Sequence, residues 1–339
     1  MNEAASELTA LMRAQGVIPA IGPSPAEDSS DRPWFVSLLQ GVAGWLAGIF
    51  LLCFLGLVFR PESGPVLFGL GAFLLVAAWF MYHADRHGAF LDQLALAISI
   101  AGQIAVAGSV LKDHFSGLGI SVTALVVQLL VLLIMPNKIA RTLAALFAVI
   151  AWIYTVRFLM RPGDAERFFF DERRPADDLF MGAWALPLGW LLTWLPLLAL
   201  TAWLILREPQ WMASSLRRLA RPMLTGLLLG LSIGGIAAEP VTLFIWGTEI
   251  WGVGLDWLAI FPLLAICLAL LSGYGAFRVR SRGLLGFAVF AAVLHLARFY
   301  YIYGTTLMWK SVIMLTIGAA LLIGGVALRN RSPEAGGAA

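Results

Sequence analysis

Charge is what this chain has least of. Only 13% of its 339 residues are Asp, Glu, Lys or Arg, about half the share usual in soluble proteins. So little charge, beside so much apolar residue, excludes a soluble enzyme, a disordered chain and a single anchor carrying a large globular head. Cysteine is scarce too: Cys53 and Cys267 are the only two. They sit in separate apolar runs, so a disulfide framework is excluded and buried thiols are expected. Catalytic signatures are missing. There is no Walker sequence, no GxGxxG after a strand, no GxSxG elbow, no CxxC and no HExxH. That disfavours ATP-driven transport by this chain alone. An intramembrane enzyme would need a clustered nucleophile and base, and none is evident, so no enzyme and no cofactor are expected. His83 and His87 have metal-ligand spacing but no third ligand, and Asp113-His114 has no partner in the sequence, so no metal is expected either. The polar stretch 1–33 contains no short apolar region of the signal-peptide kind.

Apolar residues fill the space that charge leaves. They make up 60% of the chain, and the mean hydropathy is +0.86. A spanning helix takes about 20 apolar residues, so the composition suits about ten spans. Apolar runs lie at about 34–58, 65–83, 89–111, 116–135, 139–160, 179–206, 221–244, 254–277, 284–303 and 305–328. The expected fold is all-α, a polytopic transmembrane helical bundle. Its parts are a cytoplasmic segment and linker (1–33), a first five-span half (34–160), an outer loop (161–178), a second five-span half (179–328) and a cytoplasmic tail (329–339). The stretch 221–260 divides least cleanly, because Glu239-Pro240 interrupts it. Leu91-Asp92-Gln93-Leu94-Ala95 echoes Leu255-Asp256-Trp257-Leu258-Ala259, but such short matches arise by chance in a Leu/Ala-rich chain.

The net charge is +3, and most of the 23 Lys and Arg residues lie between the apolar runs. That placement reads as membrane topology rather than nucleic-acid binding. Arg217, Arg218 and Arg221, then Arg278, Arg280 and Arg282, then Arg329 and Arg331 fall on the side of the N-terminus. Both termini are therefore expected in the cytoplasm. The outer loop carries Arg161, Arg167, Arg173 and Arg174, but acidic residues accompany them.

Small residues mark close helix contacts. Gly226, Gly230 and Gly234 share one helix face, and Ser37, Gly41, Gly44 and Gly48 share another. Such faces let backbones approach where lipid supplies no hydrophobic drive between helices. Tight packing within the chain is the simpler reading, and a dimer interface the sharper one.

Ionisable and polar groups at membrane depth are the candidates for function. Asp92, Ser99 and Gln103 share a face of the third span. They line a solute path or serve as hydrogen-bonding glue between helices. Glu239, Glu249, Asp256, Arg298 and Lys310, with Tyr300, Tyr301 and Tyr303, fall toward the outer side of the last spans. They form a polar vestibule, or else Glu249 and Asp256 are loop residues and Lys310 snorkels to the interface. His295, mid-span, is a proton relay or a hydrogen-bonded structural histidine.

Three sets of segments carry a family resemblance. They are Pro33-Trp34-Phe35-Val36 with Gly44-Trp45-Leu46-Ala47, Leu91-Asp92-Gln93-Leu94-Ala95-Leu96-Ala97 with Ala101-Gly102-Gln103, and Phe299-Tyr300-Tyr301 with Thr306-Leu307-Met308-Trp309-Lys310-Ser311. Together they resemble the domain-of-unknown-function four-four-zero-one family of bacterial membrane proteins, from about residue 33 to the last helix. Met308 and Trp309 depart from the more aliphatic character expected there. The resemblance implies a multi-pass protein of the bacterial inner membrane and no known activity. It also implies a neighbour, a small membrane-anchored protein of GDYXXLXY type. The expected function is a non-enzymatic membrane subunit or scaffold acting with an envelope partner. The alternative is a secondary transporter or channel for a small solute or ion.

Overall fold

A computed structural model of the chain describes residues 34–59, 63–84, 89–113, 116–160, 185–238, 260–302 and 307–330. Among them there are helices and no strand. In chain order these are α1 (Trp34–Phe59), α2 (Gly64–Ala84), α3 (Ala89–Asp113), α4 (Gly117–Ile134), α5 (Lys138–Met160), α6 (Ala185–Leu206), α7 (Glu208–Met212), α8 (Arg217–Ile233), α9 (Gly235–Ala238), α10 (Ile260–Arg278), α11 (Arg282–Ile302) and α12 (Leu307–Asn330). Each of the ten apolar runs overlaps a helix of 17 residues or more among the described residues. Among the described residues seven helices, α2 to α6, α10 and α11, are long and apolar enough to cross a membrane. Helix is the physical answer to such runs, because it satisfies every backbone N–H and C=O within the segment where lipid offers no partner. The protein is accordingly an all-helical membrane protein.

The turns follow from local chemistry. Met135 is held extended at the end of α4, as steric conflict with the following Pro136 requires. Asn137 Oδ1 then accepts from the Ile139 N–H at 2.7 Å and the Ala140 N–H at 3.3 Å, capping the start of α5. Ser116 caps α4 in the same way through the Gly119 N–H at 3.1 Å. At the end of α10, Arg280 has φ of 56°. The Ser281 N–H reaches Ala276 O and the Arg280 N–H reaches Phe277 O, both at 3.0 Å. This is a Schellman stop, with arginine where glycine is usual.

One core lies among α2, α3, α4 and the first half of α5, around Leu74, Ala95, Val131 and Ala144. A second lies among α5, α6, α8 and α10, around Ile153, Trp194, Leu224 and Leu268. Helix α5 serves both, and its long contact is with α8. Every glycine of the α8 face is used there. A Cβ on Gly226 would meet Ala145, one on Gly230 would lie 2.8 Å from Val149 Cβ, and one on Gly234 would lie 2.8 Å from Ile153 Cδ1. This face is thus filled by α5 of the same chain. Gly71 and Gly102 bring α2 and α3 equally close, since a Cβ on either would lie 2.8 Å from the other's carbonyl oxygen.

Packing order fixes helix direction. Contacts rise together along α5 and α8, so these run parallel. Leu228 meets Gly275, Ser232 meets Ser272 and Gly235 meets Ala265, so α8 and α10 run antiparallel. The turns bearing Lys138 and Arg141, Arg207 to Arg221, and Arg278 to Arg282 therefore share one end of the bundle. Arg141 joins two of them directly, with Nη1 donating to Arg218 O at 2.9 Å.

Around the outside lie large apolar side chains such as Phe50, Phe73, Ile104, Leu195 and Phe290, all at least 59% exposed. Lipid is the solvent that suits them. Cys53 and Cys267 are free and exposed on this surface, not buried as expected, because their positions fall on outward helix faces.

Candidate functional site

Two groups of interior polar side chains join one helix to another. The first joins α3 to α4. Gln128 Nε2 donates to Gln103 Oε1 at 2.7 Å, and Gln103 Nε2 donates to Ser99 Oγ at 3.0 Å. Ser99 is fully buried, and Gln103 and Gln128 are 8% and 7% exposed. Gln128 Oε1 is buried and accepts no hydrogen bond. Beside this amide pair lies a cavity of about 330 Å³ between α3, α4 and α5. Its walls include Ile100, Ile104, Ala124, Phe147, Ile150 and Phe158. Asp92, on the same helix, stands half-buried in the first turn of α3, where the positive end of the helix dipole favours a carboxylate.

The second joins α8, α10 and α11. Ser272 Oγ donates to Leu228 O at 2.6 Å, and Ser232 Oγ donates to Ser272 Oγ at 2.9 Å. His295, fully buried, has Nε2 2.8 Å from Ser232 O. A carbonyl only accepts, so Nε2 carries the proton. Nδ1 faces no hydrogen-bond partner. Arg298, one turn on, is half-buried.

Further side chains stitch the helices together. Trp45 Nε1 on α1 donates to Gln93 Oε1 on α3 at 3.2 Å. Trp152 Nε1 on α5 donates to Thr193 O on α6 at 3.2 Å. Arg157 Nη1 reaches Ala237 O on α9 at 3.3 Å.

The structure thus joins Ser99 and Gln103 and sets His295 against Ser232. Glu239, Glu249, Asp256, Tyr303 and His87 lie outside the described residues. Tyr301 belongs to α11 and Lys310 to α12, but their side chains are outside the description. Among the described residues no group of three or more His, Cys, Asp or Glu side chains is placed to hold a metal ion. Sequence reasoning passed over Gln128, although a lone amide in an apolar run is the signal that singled out Gln103. Ser232 and Ser272 gave no such signal, since single hydroxyls are common in membrane helices.

The chain matches the family described as Domain of unknown function (DUF4401) over residues 33–254. It belongs to that family. The matched part holds α1 to α9, and with them the Trp45–Gln93 and Gln103–Gln128 contacts. It ends before α10, so His295 and the Phe299 to Ser311 segments lie beyond it. No curated protein and no solved structure matches the chain.

Proposed function

We propose that this DUF4401 protein is a non-enzymatic membrane subunit or scaffold of the bacterial inner membrane, working with an envelope partner. One observation carries the reading. Several interior polar side chains tie one helix to another, as in Gln128–Gln103, Ser232–Ser272 with His295, and Trp152–Thr193. A scaffold needs such ties, whereas a catalyst needs a nucleophile and base facing substrate. The partner that the family resemblance suggests is a small membrane-anchored protein of GDYXXLXY type. Ten spans with both termini in the cytoplasm fit the ten long helices and the gathering of basic turns at one end.

Affinity purification from the native host in a gentle detergent, with mass spectrometry and a native mass, tests the reading. A stoichiometric small membrane-anchored protein supports it, and a clean single-chain species overturns it. The alternative, a transporter or channel for a small solute or ion, draws on the cavity beside Gln103. It predicts flux in proteoliposomes that falls when Asp92, Arg298 or Lys310 is neutralised.

A further inference from the structure

One residue lining the cavity between α3, α4 and α5, Gln128, carries a polar atom that no helix satisfies. At about 330 Å³ it stands at the small end of ligand pockets, which run to about 300–1,000 Å³. No charged residue lines it, so an ion would find no counter-charge there. The lining is apolar apart from Gln103, Ser121, Gln128 and Tyr154, and a mostly apolar cavity favours a mostly apolar occupant over water. Yet Gln128, only 7% exposed, lines the space, and its Oε1 is buried without a hydrogen-bond partner.

The amide chain can run either way. As described, the unpaired atom of Gln128 is an acceptor oxygen. If Ser99 donated to Gln103 and Gln103 to Gln128, it would present the Nε2 donor instead. A hydroxyl satisfies both cases, since it donates and accepts. Ile104 lines the cavity and is also 68% exposed on the lipid-facing side of α3, which gives access from the bilayer. Gln103 lies about 15 Å from the end of α3 at Asp113, at 1.5 Å per residue, close to the middle of a hydrocarbon core about 30 Å thick.

We propose that this cavity binds a small, uncharged, mostly hydrocarbon molecule with one hydroxyl, taken from the bilayer. The hydroxyl pairs with Gln128, and the hydrocarbon lies against Phe147, Ile150 and Phe158. The inference stands apart from the scaffold reading, since a subunit and a transporter alike can hold such a ligand.

The test uses the full chain in phosphatidylcholine nanodiscs and a diazirine-bearing octanol as probe. Light-induced adducts should map to cavity residues, saturate with probe and be competed by octanol at least tenfold better than by octane. Gln128→Leu should weaken saturable labelling about tenfold, the loss of one buried hydrogen bond. Ala124→Phe should abolish it by filling the space. Adducts spread over the lipid-facing surface without saturation would overturn the proposal. So would octane competing as well as octanol, or labelling unchanged in Ala124→Phe. Should Gln128→Leu fail to fold, the octanol–octane comparison on the unaltered chain still decides.

Discussion

Trp45 on α1 donates its indole N–H to Gln93 Oε1 on α3, 3.2 Å away and 48 residues further along the chain. Gly44 makes the approach possible, since a Cβ there would lie 2.9 Å from both Gln93 Cβ and Phe90 O. Gly48 repeats the device against Ala97 one turn on. Two segments that carried the family resemblance are therefore the two sides of one helix contact. Gln93→Leu should cost about 0.6–1.7 kcal/mol, the range for hydrogen bonds between membrane helices. Gly44→Val should cost more, about 1–3 kcal/mol, because backbone and not a flexible side chain blocks the added atoms. Thermal unfolding in detergent reads both, and equal melting of the two variants and the unaltered protein would sink this account.

Gly226 should be still less forgiving. Its missing Cβ leaves room for Thr142 O at 2.5 Å and Leu146 N at 2.9 Å, both backbone atoms of α5. Gly226→Leu should separate α5 from α8, the contact that joins the two cores, at about 3 kcal/mol or more. Gly318 on α12, with open space around it, supplies the control. Gly318→Leu should leave melting within about 0.5 kcal/mol.

How much of this was legible beforehand differs by level. The helices were, because an apolar run of some twenty residues has one good solution in lipid. The glycine faces were legible as close-packing surfaces, but which helix fills each was not. The spacing of Gly226, Gly230 and Gly234 says nothing of Thr142, Ala145 and Val149. Gln103 stood out as an amide in an apolar run, while its partner Gln128 is 25 residues away on another helix. Pairing across helices is a property of tertiary packing, and no periodicity records it. The cavity is a stage further off, since a space depends on three helices at once.

The Gln103–Gln128 pair should show strong non-additivity. Gln103→Leu strands the Gln128 amide against hydrocarbon, at a cost of about 1–3 kcal/mol. Replacing both glutamines by leucine removes the stranded group and should recover most of the loss. A double-mutant cycle on detergent stability measures the coupling. Simple addition of the two single effects would show that the pair does not hold α3 to α4.

Arg280 holds a left-handed conformation, φ 56°, that costs a side-chain-bearing residue about 1–2 kcal/mol. Arg280→Gly should therefore raise stability, by about 0.5–1 kcal/mol once glycine's greater unfolded freedom is set against the relief. Arg280→Ala keeps the Cβ and should bring no such gain. The comparison separates backbone strain from the loss of a charge, since both variants remove the guanidinium. A rise in both melting points would assign the effect to charge instead.

The direction of the bundle in the membrane can be tested from the same geometry. Parallel α5 and α8, with antiparallel α10, bring the turns of Arg141, Arg218 and Arg280 to one end, and Arg141 bonds Arg218 O there at 2.9 Å. Excess Lys and Arg stays on the cytoplasmic side, so that end should face the cytoplasm. Helix α5 starts there and finishes at the opposite end, so the expected outer loop, 161–178, should follow on the outer side. With Cys53 and Cys267 replaced by alanine, Ala165→Cys should react with an impermeant maleimide added to intact spheroplasts. Ser332→Cys and Ser281→Cys should react only after lysis. The reverse pattern would invert the orientation, and labelling of Ala165→Cys and Ser332→Cys from the same side would require an even number of crossings between them.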